Sequence, residues 1–295
     1  MKLYAPSYYP AFKCIADKCK HSCCIGWEID IDPNTLNHYE TMTHPYGEII
    51  RTSIDYEGDP HFRLTPGERC PHLKENGLCE LILRAGESCL CEICKEHPRF
   101  YHETSHGMEV GLGMACEAAC RLILTSGDYL AFLTLSMDGE EDPQVCFDTL
   151  PHRERLYKLL SEKTPFAERL EEIQSLYGVT PKLLSDPEWR ILLGDLEYLD
   201  DTHKELFSCY SSGAFPTDEQ ALERVLSYLI FRHLTPAEDF EELKASLGFC
   251  LFCTQLLCSM MAAHPGHSTA DLARILSEEL EYSTDNTDTI RSVFF

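Results

Sequence analysis

Four cysteines fall within eleven residues near the start of the chain: Cys14, Cys19, Cys23 and Cys24, in the stretch CIADKCKHSCCIGW. A second group follows at Cys70, Cys79, Cys89, Cys91 and Cys94, and a third at Cys116 and Cys120. Eleven of the 16 cysteines therefore lie in residues 1–125. The same segment is broken by turn signals at DPN (32–34), EGDPH (57–61), TPGERCP (65–71) and ENG (75–77). Elements this short bury little apolar surface. A metal that cross-links the loops would supply the missing stability.

The opening MKLYAPSYYPAFKC has no continuous apolar run and is not a signal peptide. The expected location is therefore the cytoplasm, where thiols stay reduced. Cysteine clusters in that setting point to metal or redox chemistry. The later cysteines read differently. Cys146 and Cys209 are expected to be small buried hydrophobes, and Cys250, Cys253 and Cys258 to be core positions of an apolar helix.

Spacing narrows the metal without choosing it. Structural zinc takes two paired knuckles, whereas iron–sulfur clusters take four thiolates at more scattered spacing. The tight pairs available are Cys19-x3-Cys23, Cys91-x2-Cys94 and Cys116-x3-Cys120. The adjacent Cys23–Cys24 pair is awkward for one small ion, because neighbouring side chains diverge. Either one ligates while the other packs, or the two serve different sites. The pattern leans towards an iron–sulfur cluster, with zinc as the alternative.

The net charge is −24. Residues 1–125 carry 12 Lys and Arg against 18 Asp and Glu, and the rest 13 against 31. No basic stripe exists to bind nucleic acid or an anionic membrane. A cationic, lysine-bearing protein is the favoured kind of partner. Residues 245–263 are uncharged and long enough to span a bilayer. Their interspersed polar residues and flanks read instead as a helix buried in a bundle.

The expected fold is mainly α. A turn-rich cysteine-cluster region, 1–125, packs on an acidic helical region, 126–295, and the two form one compact unit or two. GWEIDID alternates like a short extended piece, and DPNTLNHYETMT reads as a short helix. GMACEAACRLILTSGDYLAFLTLS has apolar residues at helical spacing. Capping boxes at Ser185–Glu188, Thr217–Gln220 and Thr235–Glu238 predict three later helix starts. Residues 136–144, SMDGEEDPQ, read as a linker. No C-x3-C-x2-C triplet, dinucleotide-binding fingerprint, P-loop or hydrolase elbow occurs. The residues alone lead to a cysteine-cluster metalloprotein.

Three blocks carry a resemblance. PSYYPAFKCIADKCKHSCCIGWEIDIDPNTLNHY resembles the opening of the flagellin lysine-N-methylase family, with P-x-Y-x3-F-x-C and C-x4-C-x3-C-C-x2-W followed by an acidic stretch. RCPHLKENGLCELILRAGESCLCEICKEHPRF is similar to its second block, and GLGMACEAACRLIL to its third. That family is related to cysteine-cluster proteins regarded as zinc- or iron-chelating. The resemblance implies a methyltransferase acting on flagellin lysines, with S-adenosylmethionine as donor and a [4Fe-4S] cluster. By motif, its thiols are Cys14, Cys19, Cys23, Cys24, Cys70, Cys79, Cys94 and Cys116. Cys89, Cys91 and Cys120 fall outside the pattern. The third block lacks the family's proline, which shifts Glu117 by one place. Eight thiols exceed the four one cluster needs, so there are two sites or some thiols only pack.

Methyl transfer to lysine requires a neutral amine, although a free lysine has a pKa near ~10.4. Tyr8 and Tyr9 are candidate pocket residues, because aromatic faces accept a methylated cation. Trp27 belongs with them as a candidate for cofactor binding, and core packing is the competing role for all three. Asp30 and Asp32 are candidates to attract or orient the lysine, or they form a solvated turn. Arg99 is a candidate to grip the cofactor carboxylate or to anchor a local acid. The competing function is a non-enzymatic zinc- or iron-binding module. A thiol oxidoreductase built on Cys91-x2-Cys94 is a weaker reading, because the βαβ context is missing. The oligomeric state cannot be read from the sequence.

Overall fold

The computed structural model describes residues 2–137 and 145–295. Most of the expected linker, residues 138–144, lies outside them. Helices predominate, with thirteen α-helices among the described residues. The chain divides into two compact units. One comprises residues 13–100 and 116–118, and the other residues 1–12, 101–115 and 119–295.

The first unit is the cysteine-rich one. Asp32 caps the helix Pro33–Thr41 by accepting the Thr35 N–H, and Pro33 opens it with a backbone already suited to a first turn. Short helices follow at Gly47–Thr52, Glu80–Ala85 and Glu92–Glu96. A two-residue ladder pairs Ile54 with Phe62 and Asp55 with His61. The expected extended piece at GWEIDID is present. Ile29 and Ile31 point into the core while Asp30 bridges His61. That core gathers Ile29, Ile31, Tyr39, Ile50, Phe62 and Leu81 with several cysteines. Its one deeply buried imidazole, His72, is held between Tyr46 Oη at 2.9 Å and Ser53 Oγ at 3.1 Å. Burial pushes His72 down to about 4, so it is neutral at physiological pH.

The second unit is helical around one small sheet. Its strands are β1 (Leu3–Pro6), β2 (Arg99–Thr104, shared with the first unit at its start), β3 (Gly107–Leu112) and β4 (Phe132–Ser136), in the order β2-β3-β1-β4. β1 runs parallel to β3, with Tyr4 opposite Glu109, and antiparallel to β4, with Ala5 opposite Leu133. Gly107 has φ +137°, and a Cβ there would lie 2.6 Å from the Lys2 carbonyl oxygen, so only glycine fits.

Two long helices, Glu219–Leu234 and Phe240–Ala263, pack together at the centre. The second is long and apolar enough to cross a membrane, yet 89% of its apolar window is buried inside the protein. Cys250, Cys253 and Cys258 are buried along it, as expected. Trp189, on the helix Asp186–Asp195, stacks on Phe252 with centroids 4.1 Å apart.

Four expectations need correction. The helical reading of 113–136 holds only for Glu117–Thr125, because Phe132–Ser136 is a strand that pairs with β1. The box at Thr217 is displaced by one residue: Asp218 is the cap and accepts the Ala221 N–H at 3.0 Å. Thr235 starts no helix. It ends Glu219–Leu234, its hydroxyl donates to the Phe231 carbonyl at 3.0 Å, and Asp239 caps the next helix. Cys146 is exposed rather than buried. The box at Ser185 forms as expected, with Glu188 reaching back to the Ser185 N–H.

Candidate metal centre

All eight thiols named by the family pattern belong to the cysteine-rich unit. They fall into two groups.

Group one surrounds the loop 14–23 together with Cys116. A single turn at Ala16–Lys18 folds the loop back, and the Ala16 N–H points at Cys14 Sγ at 3.4 Å. Cys19 Sγ lies 3.2 Å from the His21 carbonyl and 3.5 Å from Glu117 Oε2. Glu117 is buried, and the same oxygen accepts the Lys20 N–H at 2.7 Å. Burial pushes Cys19 up to about 11, and the charges of Glu117 and Cys116 add to it. Cys23 is raised too, by its hydrogen bond with Cys24 and by burial, with the charges of Cys116 and Cys14 adding to the effect. Cys14 and Cys23 are exposed, and Cys19 and Cys116 are half-buried.

Group two lies against the apolar core. Cys70, Cys89 and Cys91 are among the buried core residues, and Cys24, Cys79 and Cys94 pack on it. The Cys70 N–H donates to the Cys24 carbonyl at 2.8 Å, and the Gly26 N–H to Glu68 at 2.9 Å, which clamps the two segments side by side. Leu73 bridges Cys79, and the Glu80 N–H donates to the His72 carbonyl at 2.7 Å. Cys91 and Cys94 open the helix Glu92–Glu96, and their sulfurs share a hydrogen bond at 3.4 Å. That bond lowers Cys91 and raises Cys94. Burial raises Cys70 to about 12, and the neighbouring Cys24, Cys79 and Cys91 add to it. Cys24 goes the other way, down to about 7, because the adjoining Cys23 hydrogen-bonds to its sulfur and the Arg69 charge favours the thiolate.

The other candidates separate. Asp32 uses both carboxylate oxygens on backbone N–H groups, of Thr35 and of Glu92, each at 2.9 Å. Partial burial would raise it, but these hydrogen bonds hold it below its ordinary value. Asp30 is exposed, and Trp27 is half-buried. Arg99 donates to the Lys95 carbonyl at 3.0 Å. Tyr8 and Tyr9 belong to the helical unit. There Tyr8 is buried close to Tyr157, and burial holds its hydroxyl protonated far above the ordinary range.

Cys91 joins group two although it lies outside the family pattern, and its C-x2-C spacing with Cys94 is the tight pair read from the sequence. Sequence reasoning missed two features. Glu117 meets the Cys19 sulfur. In the helical unit a cleft of about 610 Å³ is lined by Tyr4, Phe132, Tyr157, Glu109, Arg153 and Glu154, among others. Within it Arg153 forms a bidentate pair with Glu109 and lies 4.6 Å from the Phe132 ring centroid. These residues come from segments far apart in sequence, so no local pattern announced them.

No family model and no solved structure matches the chain. A lysine-N-methylase of Salmonella typhimurium is 25% identical over 164 residues, covering 53% of this chain and 39% of the relative. A lysine-N-methylase of Salmonella choleraesuis aligns over the same extent at the same identity. A flagellar biosynthetic protein FliU of Salmonella muenchen is 25% identical over 134 residues, covering 43% of this chain and 79% of that protein. The matched region thus spans about two fifths of the length of the lysine-N-methylases.

Proposed function

We propose that this chain, a distant relative of the lysine-N-methylases, methylates lysine side chains of flagellin in the cytoplasm, with S-adenosylmethionine as donor and an iron–sulfur cluster on its cysteine-rich unit. The observation that carries this reading is the gathering of all eight pattern thiols into one unit, alongside similarity over about half the chain. The flagellar name of the third relative supports the choice of flagellin. The net charge of −24 suits a lysine-bearing partner.

The donor set fits a cluster. Zn–S bonds of about 2.3 Å put the sulfurs of a zinc site roughly 3.8 Å apart. Among the described residues, no three of the sulfurs of Cys24, Cys70, Cys79, Cys91 and Cys94 lie within 4.8 Å of one another. The array is wider than a single ion needs, and all-thiolate ligation is the usual holder of a [4Fe-4S] cluster. Bound there, such a cluster supplies redox chemistry or an open iron.

The chain's own residues have two tasks, to bind cationic groups and to favour a neutral amine. Both the sulfonium donor and the lysine are cations. The ring of Tyr4 in the cleft of the helical unit suits such groups, whereas the Phe132 ring already holds Arg153 and stacks with Tyr157. Glu154 adds a carboxylate at the same cleft, which Lys158 also lines. Burial against the Tyr4 ring lowers the lysine pKa towards the neutral form that attacks the methyl group.

Anaerobically purified protein, incubated with methyl-labelled S-adenosylmethionine and flagellin, tests the reading. Label on lysine supports it. No label, from protein with iron and acid-labile sulfide intact, would favour the non-enzymatic metal-binding module.

A further inference from the structure

We propose that the cysteine-rich unit holds two separate thiolate-bound metal centres, one on Cys14, Cys19, Cys23 and Cys116, the other on Cys24, Cys70, Cys79 and the Cys91–Cys94 pair. This goes beyond the proposed activity and needs only that the thiols bind metal.

Three observations converge. The first is core membership. Cys24, Cys70, Cys79, Cys89, Cys91 and Cys94 all belong to or pack on one apolar core, and Cys14, Cys19, Cys23 and Cys116 do not. The second is anchoring. Group two is tied by backbone hydrogen bonds between the segments at residues 24–26 and 68–70, and by the Leu73–Cys79 bridge. Group one is tied elsewhere, by Glu117, whose carboxylate holds the Lys20 N–H and meets Cys19 Sγ. The third is number. The eight pattern thiols divide four and four, with Cys91, 3.4 Å from Cys94, and Cys89 as further sulfurs on the core of group two. Four thiolates complete a zinc site or a [4Fe-4S] cluster. Each group therefore has enough thiols for a centre of its own.

The centres differ in access. Group one includes the exposed Cys14 and Cys23, whereas group two includes the buried Cys70 and Cys91. A chelator reaches the first and is shielded from the second. The ligand chemistry is that of a thiophilic metal, and the metal itself is read by experiment. Iron with sulfide marks a cluster, and zinc without sulfide marks a single ion.

The test uses the full chain purified anaerobically as wild type, Cys14→Ser, Cys23→Ser and Cys24→Ser, with iron, zinc and acid-labile sulfide counted per chain. The wild type is expected to carry the complement of two centres. Cys14→Ser and Cys23→Ser are each expected to lose one centre, about half the metal if the two are alike, and Cys24→Ser to lose the other. Cys24 packs on the core, so if that variant does not fold, the two exposed variants decide. The proposal is overturned if the wild type holds one centre's complement only, about four iron or about one zinc. It is equally overturned if Cys14→Ser or Cys23→Ser empties both centres while circular dichroism shows unchanged helix. Counting metal requires no methyl transfer, so a negative result here leaves the proposed activity standing, and the reverse holds.

Discussion

Cys23 and Cys24 are consecutive in the chain, yet they enter different sulfur groups. Cys24 packs on the apolar core beside Cys70, while Cys23 is exposed, hydrogen-bonds the Cys24 sulfur and feels the charges of Cys116 and Cys14. The division follows from the clamp on the backbone. Once the Cys24 carbonyl accepts the Cys70 N–H, Cys24 is held beside the core, and its sulfur, hydrogen-bonded to that of Cys23, stands at the border between the two groups.

The Glu109–Arg153 pair is expected to dominate the stability of the sheet side of the helical unit. Both side chains are buried and doubly bonded, at 2.5 and 2.6 Å. Glu109→Ala leaves a guanidinium buried without its counter-charge, which costs about 3–5 kcal/mol. Urea denaturation of the two proteins measures it, and a loss below about 1 kcal/mol would contradict the pairing.

Gly248 lies inside the long helix, where alanine normally stabilises by about 1 kcal/mol. Here a Cβ would lie 2.3 Å from Cγ of Phe294, a ring packed beside Trp189. Gly248→Ala is therefore expected to destabilise by about 1–3 kcal/mol, through overpacking. The same change in a Phe294→Ala background is expected to be neutral or stabilising, and thermal unfolding of the four proteins separates the two effects.

His203 Nδ1–H donates to Glu279 Oε1 at 2.6 Å, with Asp200 and Glu278 nearby. The bond to Glu279 raises the folded pKa of His203 against the opposing effect of burial. A raised value means its stabilisation is fully present below the unfolded pKa of about 6.5. It is lost as pH rises through the folded value. The stability gap between wild type and His203→Gln is therefore expected to shrink from pH 6 to pH 8.5. A gap that stays level or widens over that range contradicts the assignment.

Glu154 is the carboxylate of the cleft chosen above for a cationic group. Glu154→Gln is expected to weaken the use of S-adenosylmethionine or flagellin by roughly fivefold, about 1 kcal/mol for a solvated ion pair. Kinetics with each substrate varied in turn would show it, and unchanged kcat/KM for both would remove the cleft from the account.

Local signals in the sequence were readable where local forces decide. The Ser185 box and the Asp32 cap are made by residues within three positions of each other, and both form. Thr235 looked the same but is claimed by a backbone partner one turn earlier, Phe231. Phe132–Ser136 is a short apolar run whose strand state depends on Leu3–Pro6, more than 120 residues away, so its periodicity could not decide between helix and strand. The thiols that matter were visible as residue types, but their division was not. It depends on which side chains reach the core made by Tyr39, Ile50, Phe62 and Leu81, and that is fixed only by tertiary packing.

Differential alkylation of metal-loaded protein, read cysteine by cysteine by mass spectrometry as a chelator is added, tests the division most directly. The expected result is two cohorts: Cys14, Cys19, Cys23 and Cys116 become reactive together and first, while Cys24, Cys70, Cys79 and Cys94 stay protected until the protein unfolds. Simultaneous exposure of Cys23 and Cys24 with all the others would contradict it.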